Sequence, residues 1–169
     1  PAVTACTTDE LRLLDRQLET GFRTAPTSSM GRLFDAVSSL LGVCHRAGYE
    51  AQAAMELEAL ARGATPGRRY RFDRVPYADQ PDVQTADPAP LLRAVCEDLL
   101  AGVAPAAVAA AFHVAIAELV ADIADEVRGA TGVSKVALTG GVFLNARLTH
   151  ECRQSLASRG LEALVHRRV

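Results

Sequence analysis

Lys135-Val136-Ala137-Leu138-Thr139-Gly140-Gly141-Val142-Phe143-Leu144-Asn145 decides the fold class. Val136, Ala137 and Leu138 form a brief apolar run ended by Thr139-Gly140-Gly141, the pattern of a short covered strand in an α/β sheet. The glycines predict a turn, and the residues after them predict a helix running to about Arg159. Glycine at such a turn admits φ > 0 and lets a ligand approach without meeting a Cβ. A helix starting there aims unpaired N–H groups and the positive end of its dipole at the same spot. The expectation is an anion site for a nucleotide phosphate or a carbamoyl-type oxyanion. A diglycine between strand and helix is also ordinary turn chemistry, so the rest of the chain has to decide.

Outward from that stretch the pattern is mostly helical. Upstream, Pro105 starts a long helix over about Ala106 to Arg128, with Val108, Phe112, Ala115, Leu119, Ile123 and Val127 at helical spacing. A short helix over Leu91 to Leu100 precedes it. Before that, Arg69 to Val75 alternates apolar and charged residues, as a half-exposed strand does. Pro76 to Pro81 reads as a turn and Asp82 to Ala86 as the hairpin partner. Three helices fill the N-terminal part. One begins at Thr8-Asp9-Glu10 and carries Leu11, Leu14 and Leu18 as an apolar stripe up to Gly21. A second runs from Ser29 to Leu41, burying Leu33, Phe34, Val37, Leu40 and Leu41, with Gly42 as its cap. A third spans about Glu50 to Arg62. Downstream, Leu161 to Val169 resembles a further strand. The fold class is α/β, helix-rich with a small mixed sheet.

At 169 residues the chain fits one domain able to bury about two-thirds of its unfolded surface. Eighteen basic and twenty acidic residues leave a net charge of −2, which suggests neither nucleic acid nor an anionic membrane as partner. The apolar tract from Ala101 to Ala117 is interrupted by Pro105 and His113 and is too weakly hydrophobic to span a bilayer. Cys6, Cys44, Cys96 and Cys152 form no CxxC pair and read as small hydrophobes in a reducing, cytoplasmic setting. There is no initiator Met and no signal-peptide pattern. The start at Pro1 and the stop at Val169 inside a strand-like run lead to the expectation that residues 1–169 are one domain truncated at both ends.

Several residues suit chemistry, each with a plainer alternative. Asp35, with Ser38 and Ser39 at i+3 and i+4, falls on the polar face of the second helix. An ionised carboxylate accepts two hydroxyls and so suits a ribose, and it equally suits a solvated surface. Gly31 and Arg32 sit at the start of that helix, where Ser29 would serve as N-cap. Asn145 either bonds a ligand held at the glycine turn or caps the helix. His113, beside Phe112, reads as a hydrogen-bonded core histidine more readily than as a ligand or base. His45, His150 and His166 have no metal-ligand spacing. Glu50, Gln52, Glu56 and Glu58 form mostly the wet face of the third helix, although Glu50 and Gln52 near its start suit the border of a pocket. No Ser/His/Asp set, nucleophile elbow or Walker loop is present.

Three stretches taken together carry a resemblance. They are Thr27-Ser28-Ser29-Met30-Gly31-Arg32-Leu33-Phe34-Asp35-Ala36-Val37, Tyr49-Glu50-Ala51-Gln52-Ala53-Ala54-Met55-Glu56-Leu57-Glu58, and Leu138-Thr139-Gly140-Gly141-Val142-Phe143-Leu144-Asn145. In this order and spacing they closely resemble the C-terminal part of HypF-type hydrogenase maturation carbamoyltransferases. More broadly they are similar to the Kae1-like domain of tRNA threonylcarbamoyl transferases and antibiotic O-carbamoyltransferases. Ala111-Phe112-His113 fits the HypF pattern as well, and the resemblance covers nearly the whole chain.

The resemblance implies part of an actin-like (ASKHA) domain in which two lobes close on a nucleotide, this chain being most of the second lobe. It implies that Asp35 binds the ribose hydroxyls with Gly31, Glu50 and Gln52 nearby, that Gly140 and Gly141 lie against the phosphates, and that Asn145 holds ATP or the carbamoyl-adenylate. It implies an enzyme that makes carbamoyl-adenylate from carbamoyl phosphate and ATP. That enzyme passes the carbamoyl group to the C-terminal cysteine of a partner maturation protein, toward the cyanide ligands of [NiFe]-hydrogenase. No residue here is implied as a nucleophile or metal ligand. The family's histidine-rich metal motif, acylphosphatase-like, zinc-finger and adenylate-forming parts, and an Asp-Gly-Gly segment, lie outside these residues. A metal ion, with Mg, is therefore expected only in the full-length protein, and the piece alone is expected to be inactive. A small-molecule O-carbamoyltransferase and a non-catalytic partner-docking module are the alternatives.

Overall fold

The computed structural model describes residues 1–77 and 80–166. The chain divides into two units, Pro1–Leu57 and Glu58–Val169. The first holds helices α1 (Thr8–Thr20) and α2 (Met30–Leu40) and the start of α3 (Gln52–Ala61). Thr7 and Glu10 form a reciprocal capping box at the start of α1: Glu10 N–H donates to Thr7 Oγ1 at 3.2 Å and Thr7 N–H to Glu10 Oε2 at 2.8 Å. The Thr7 N–H first, and Arg46 next, hold the Glu10 carboxyl below its ordinary range. Gly21 ends the helix in the left-handed region. The expected apolar stripe is present but mostly exposed: Leu11 is half-buried, Leu14 is 46% and Leu18 80% exposed, and α1 has no buried residue. Local caps, rather than packing, set the limits of this helix.

In α2, Ser29 caps the N-terminus and Phe34, Val37, Ser38 and Leu41 are buried, with Leu33 and Leu40 half-buried. Ser38 was expected beside Asp35 on the polar face. Instead it is fully buried, because i+3, i+4 and i+7 from Phe34 share one face. The end is a Schellman motif, with Val43 N–H on Ser38 O at 2.9 Å and Gly42 N–H on Ser39 O at 3.0 Å. The third helix starts at Gln52 rather than Glu50, because Ala51 takes φ 62° and breaks the helical run.

The second unit centres on α5 (Pro105–Thr131), whose Val108, Phe112, Ala115, Ile116 and Leu119 are buried. It packs between α4 (Ala89–Leu100) and α6 (Ala146–Ser158). On length and composition alone α5 would cross a membrane, yet more than half of its most apolar stretch is buried inside the protein, as in a core helix. Ile123 and Val127, expected on the buried stripe, are exposed. At 27 residues α5 is roughly 40 Å long, whereas the 13-residue α6 is roughly 20 Å and covers only part of it.

The strands form two ladders. Strands β1 (Asp73–Tyr77) and β2 (Gln80–Asp87) pair antiparallel, and β3 (Lys135–Leu138) and β4 (Glu162–Val165) pair parallel, Lys135 opposite Glu162 through Leu138 opposite Val165. Helix α6 makes the β3–β4 crossover. The expected turn at 76–81 includes positions 78 and 79, and the expected last strand includes 167–169; these positions lie outside the described residues. Residues 69–72, expected to begin the hairpin, are not strand. Tyr70 is drawn into the core instead, its hydroxyl donating to Asp98 Oδ2 at 2.6 Å, with the Arg68 guanidinium 3.4 Å from Asp98. Burial first, and that bond next, push the Tyr70 phenol well above its usual range. All four cysteines are free. Cys44 and Cys152 are buried as expected, while Cys96 is exposed on α4. Tyr70→Phe removes the hydroxyl from a buried carboxylate and is expected to cost about 1–3 kcal/mol of stability, read by urea denaturation.

Candidate functional site

The glycine corner follows directly from β3. Gly140 has φ 97° and ψ 166°, a region essentially reserved for glycine. The helix expected to follow at once does not. A 3-10 turn over Gly141–Leu144 intervenes, closed by Phe143 N–H on Gly140 O at 3.1 Å and Asn145 N–H on Val142 O at 3.2 Å. Only then does α6 begin, with Asn145 as its N-cap.

The N-terminus of α6 is not open, contrary to the expectation from sequence. Glu58 Oε1, from α3, accepts the N–H groups of Ala146 at 2.9 Å and Arg147 at 3.2 Å. Asn145 Oδ1 accepts Leu148 N–H at 2.8 Å, and Asn145 O accepts Thr149 N–H at 3.0 Å. The chain supplies its own anion and its own cap here. What the corner still offers is the N–H groups of Gly141 and Val142, which have no partner among the described residues. Gly141 is exposed, its φ is not positive, and a Cβ there would meet nothing within 4 Å. Neither conformation nor internal packing requires a glycine at 141.

Behind the corner lies a buried network. His113, on α5, is fully buried with Nδ1 2.7 Å from Ala109 O, and Asn145 Nδ2 is 3.1 Å from His113 Nε2. Burial, and secondarily the nearby Arg147 charge, pull the His113 pKa below its ordinary value, against the opposing Ala109 bond and Glu58 charge. Arg147 reaches back to the end of α3, donating to Ala61 O and, at 3.1 Å, to Ala64 O, and pairs with Glu151 at 3.4 Å. Sequence reasoning placed Glu58 on a wet face and missed Arg147 altogether. Their partners lie more than 80 residues away in the chain, and neither sits in a spacing that signals the contact.

The remaining candidates belong to the first unit. Asp35, partly exposed on α2, pairs with Arg32 at 3.0 Å. Gly31 lies in the first turn of α2, where an added Cβ would make only ordinary contact with Ser29 Oγ. Glu50 is exposed in the turn before α3. Gln52 clips that turn to the helix: its Oε1 takes Gly48 N–H at 2.7 Å and its Nε2 donates to Glu56 Oε1 at 2.7 Å. Among the described residues no group of three or more His, Cys, Asp or Glu is placed to hold a metal ion. A groove of about 520 Å³ runs along α6 and β4, lined by His150, Arg153, Gln154, Leu161 and Glu162, and includes none of the candidates.

The family model of the carbamoyltransferase Kae1-like domain, second subdomain, matches residues 2–169. Carbamoyltransferase HypF of Rhodobacter capsulatus is 43% identical over 153 residues, covering 89% of this chain and 19% of that protein. A HypF homolog of Cupriavidus necator is 38% identical over 168 residues, covering 93% of this chain and 39% of that one. Among solved structures, full-length HypF in a phosphate- and nucleotide-bound form superposes with TM-score 0.87 and 34% identity, over 98% of this chain and 21% of that one. HypF of T. kodakarensis gives 0.78 and 28%, over 98% and 22%. The chain thus spans between about a fifth and two-fifths of the length of these relatives.

Because burial lowers the folded pKa of His113 below its ordinary value, the unfolded chain takes up its proton first on acidification. The contribution of His113 to stability is complete above about pH 6.5 and is lost as pH falls from there through the lowered folded pKa. Denaturant unfolding at pH 7.5 and 5.5 should show this loss in the wild type, and a smaller one in His113→Gln.

Proposed function

The chain belongs to the HypF carbamoyltransferase family, as the second subdomain of its Kae1-like domain, and on that footing we propose that it supplies part of a nucleotide site in an ATP-dependent carbamoyltransferase. The whole protein would use carbamoyl phosphate and ATP to make carbamoyl-adenylate. It would then pass the carbamoyl group to the C-terminal cysteine of a hydrogenase maturation partner, in the cytoplasm. The acceptor sulfur bonds to the carbamoyl carbon, the bond from that carbon to the adenylate oxygen breaks, and AMP leaves with the electron pair while the thiol proton passes to solvent.

One observation carries the reading: Gly141 is a glycine for which the described residues show no structural need, beside two N–H groups with no partner among the described residues. Such a corner suits close approach of a phosphate oxygen to the backbone. Asp35 is suited to the ribose. Its pairing with the exposed Arg32 is a surface ion pair, weak enough to be exchanged for ligand hydroxyls. Gly31, Glu50, Gln52 and Asn145 remain proposed as neighbours of the ligand, though Gln52 and Asn145 act first on the chain itself. Catalysis by these residues is positioning and stabilisation of the leaving phosphate, not covalent chemistry. Cys152 is unsuited to nucleophilic work, since burial, with help from Glu151, pushes its thiol up to about 12. Among the described residues no group of three or more His, Cys, Asp or Glu is placed to hold a metal.

Calorimetric titration of the full-length protein with ATP tests this. Asp35→Ala should weaken binding by about 1–3 kcal/mol, the loss of charge-assisted hydrogen bonds. Gly141→Ala should weaken it too while leaving the unfolding midpoint unchanged. Full ATP affinity in both variants would remove the proposal.

A further inference from the structure

The two ring nitrogens of His113 face different partners, and together they fix the direction of the His113 and Asn145 protons behind the glycine corner. Nδ1 stands 2.7 Å from Ala109 O, and a carbonyl oxygen only accepts, so Nδ1 carries the hydrogen. In the neutral ring Nε2 is then an acceptor, and Asn145 Nδ2, 3.1 Å away, donates to it. The Asn145 amide is fixed independently from its other side, because Leu148 N–H at 2.8 Å requires Oδ1 there. Two separate constraints therefore agree on one tautomer and one amide orientation. Turning the amide over would set its NH₂ against the Leu148 N–H. A second ring proton would set N–H against that NH₂. Either change breaks a bond in a buried place.

We propose that His113 is a positioning residue for the glycine corner: by holding Asn145 it fixes the last link of the 3-10 turn, and with it the direction of the Gly141 and Val142 N–H groups. The turn is short and tied at both ends. Asn145 N–H bonds Val142 O, Phe143 N–H bonds Gly140 O, and Thr149 Oγ1 on α6 bonds Phe143 O at 2.8 Å. With so few bonds between Gly140 and α6, displacement of Asn145 swings the turn. The inference rests on the reading of that corner as the anion-binding part of a nucleotide site.

Two substitutions at one position separate positioning from mere filling of space. His113→Asn places a donor where Nδ1 stood, keeps the Ala109 bond, and is too short to reach Asn145. His113→Gln brings an acceptor oxygen to the place of Nε2 and restores the Asn145 bond. In calorimetric titration of the full-length protein with ATP, the Asn variant should bind about tenfold more weakly, the effect of one misdirected hydrogen-bonding group. The Gln variant should recover most of that loss. Wild-type binding matched by both variants overturns the inference alone. A wild type that binds no ATP overturns the reading of the corner and this inference with it. Should the Asn variant fail to fold, the ¹⁵N spectrum of the wild-type ring decides: the Nδ1-protonated tautomer is expected, and the Nε2-protonated one overturns the proposal.

Discussion

The glycine corner depends on how the first N–H groups of α6 are satisfied. Leu148 is fully buried, and an N–H left without a partner in such a place costs about 1–3 kcal/mol. The chain answers with two of its own acceptors, the Glu58 carboxylate and the Asn145 amide oxygen. The positive end of the helix dipole is therefore already neutralised by an internal anion. Any anionic ligand at this corner meets the short turn ahead of the helix rather than the helix end.

Glu58 and Arg147 also explain why the corner has a fixed place within its unit. Glu58 runs from α3 to the start of α6, and Arg147 runs back from α6 to the carbonyls at the end of α3. The two side chains cross between the same pair of elements with opposite charge and opposite hydrogen-bonding sense. At the other end of α6, Arg159 pairs with Asp122 of α5 at 2.6 Å, and Arg128 of α5 donates to Arg159 O. The helix that follows the corner is thus held at both ends by charged groups and along its length by Leu148, Cys152 and Leu156.

What could be read in the sequence was what local chemistry decides. Asp9 and Glu10 in a first turn, Ser29 before an apolar run, Gly42 after one and Pro105 at a start each mark a helix limit, and each does so in the structure. The apolar run from Val136 to Leu138 is a strand ending at the glycines for the same reason, although it is not the covered strand expected, since Ala137 is exposed and only Leu138 is buried. Two misreadings are local, the late starts of α3 after Ala51 and of α6 after the 3-10 turn, and the others concern tertiary partners. Tyr70 fits an alternating strand until a carboxylate 28 residues away captures it. Glu58 fits a solvated face until the end of α6 comes within reach. The stripe on α1 obeys the helical period, but period alone says which residues share a face and not whether anything covers it.

Gly140 and Gly141 look alike on paper and are held by different forces. Backbone strain alone keeps the first, since no side chain tolerates its dihedral angles. Nothing among the described residues keeps the second. On the proposed reading of the corner, a lineage that gave up the ligand would leave position 141 free to drift to alanine or serine while position 140 stayed glycine, so a broken pair would record lost selection on that ligand without any loss of fold.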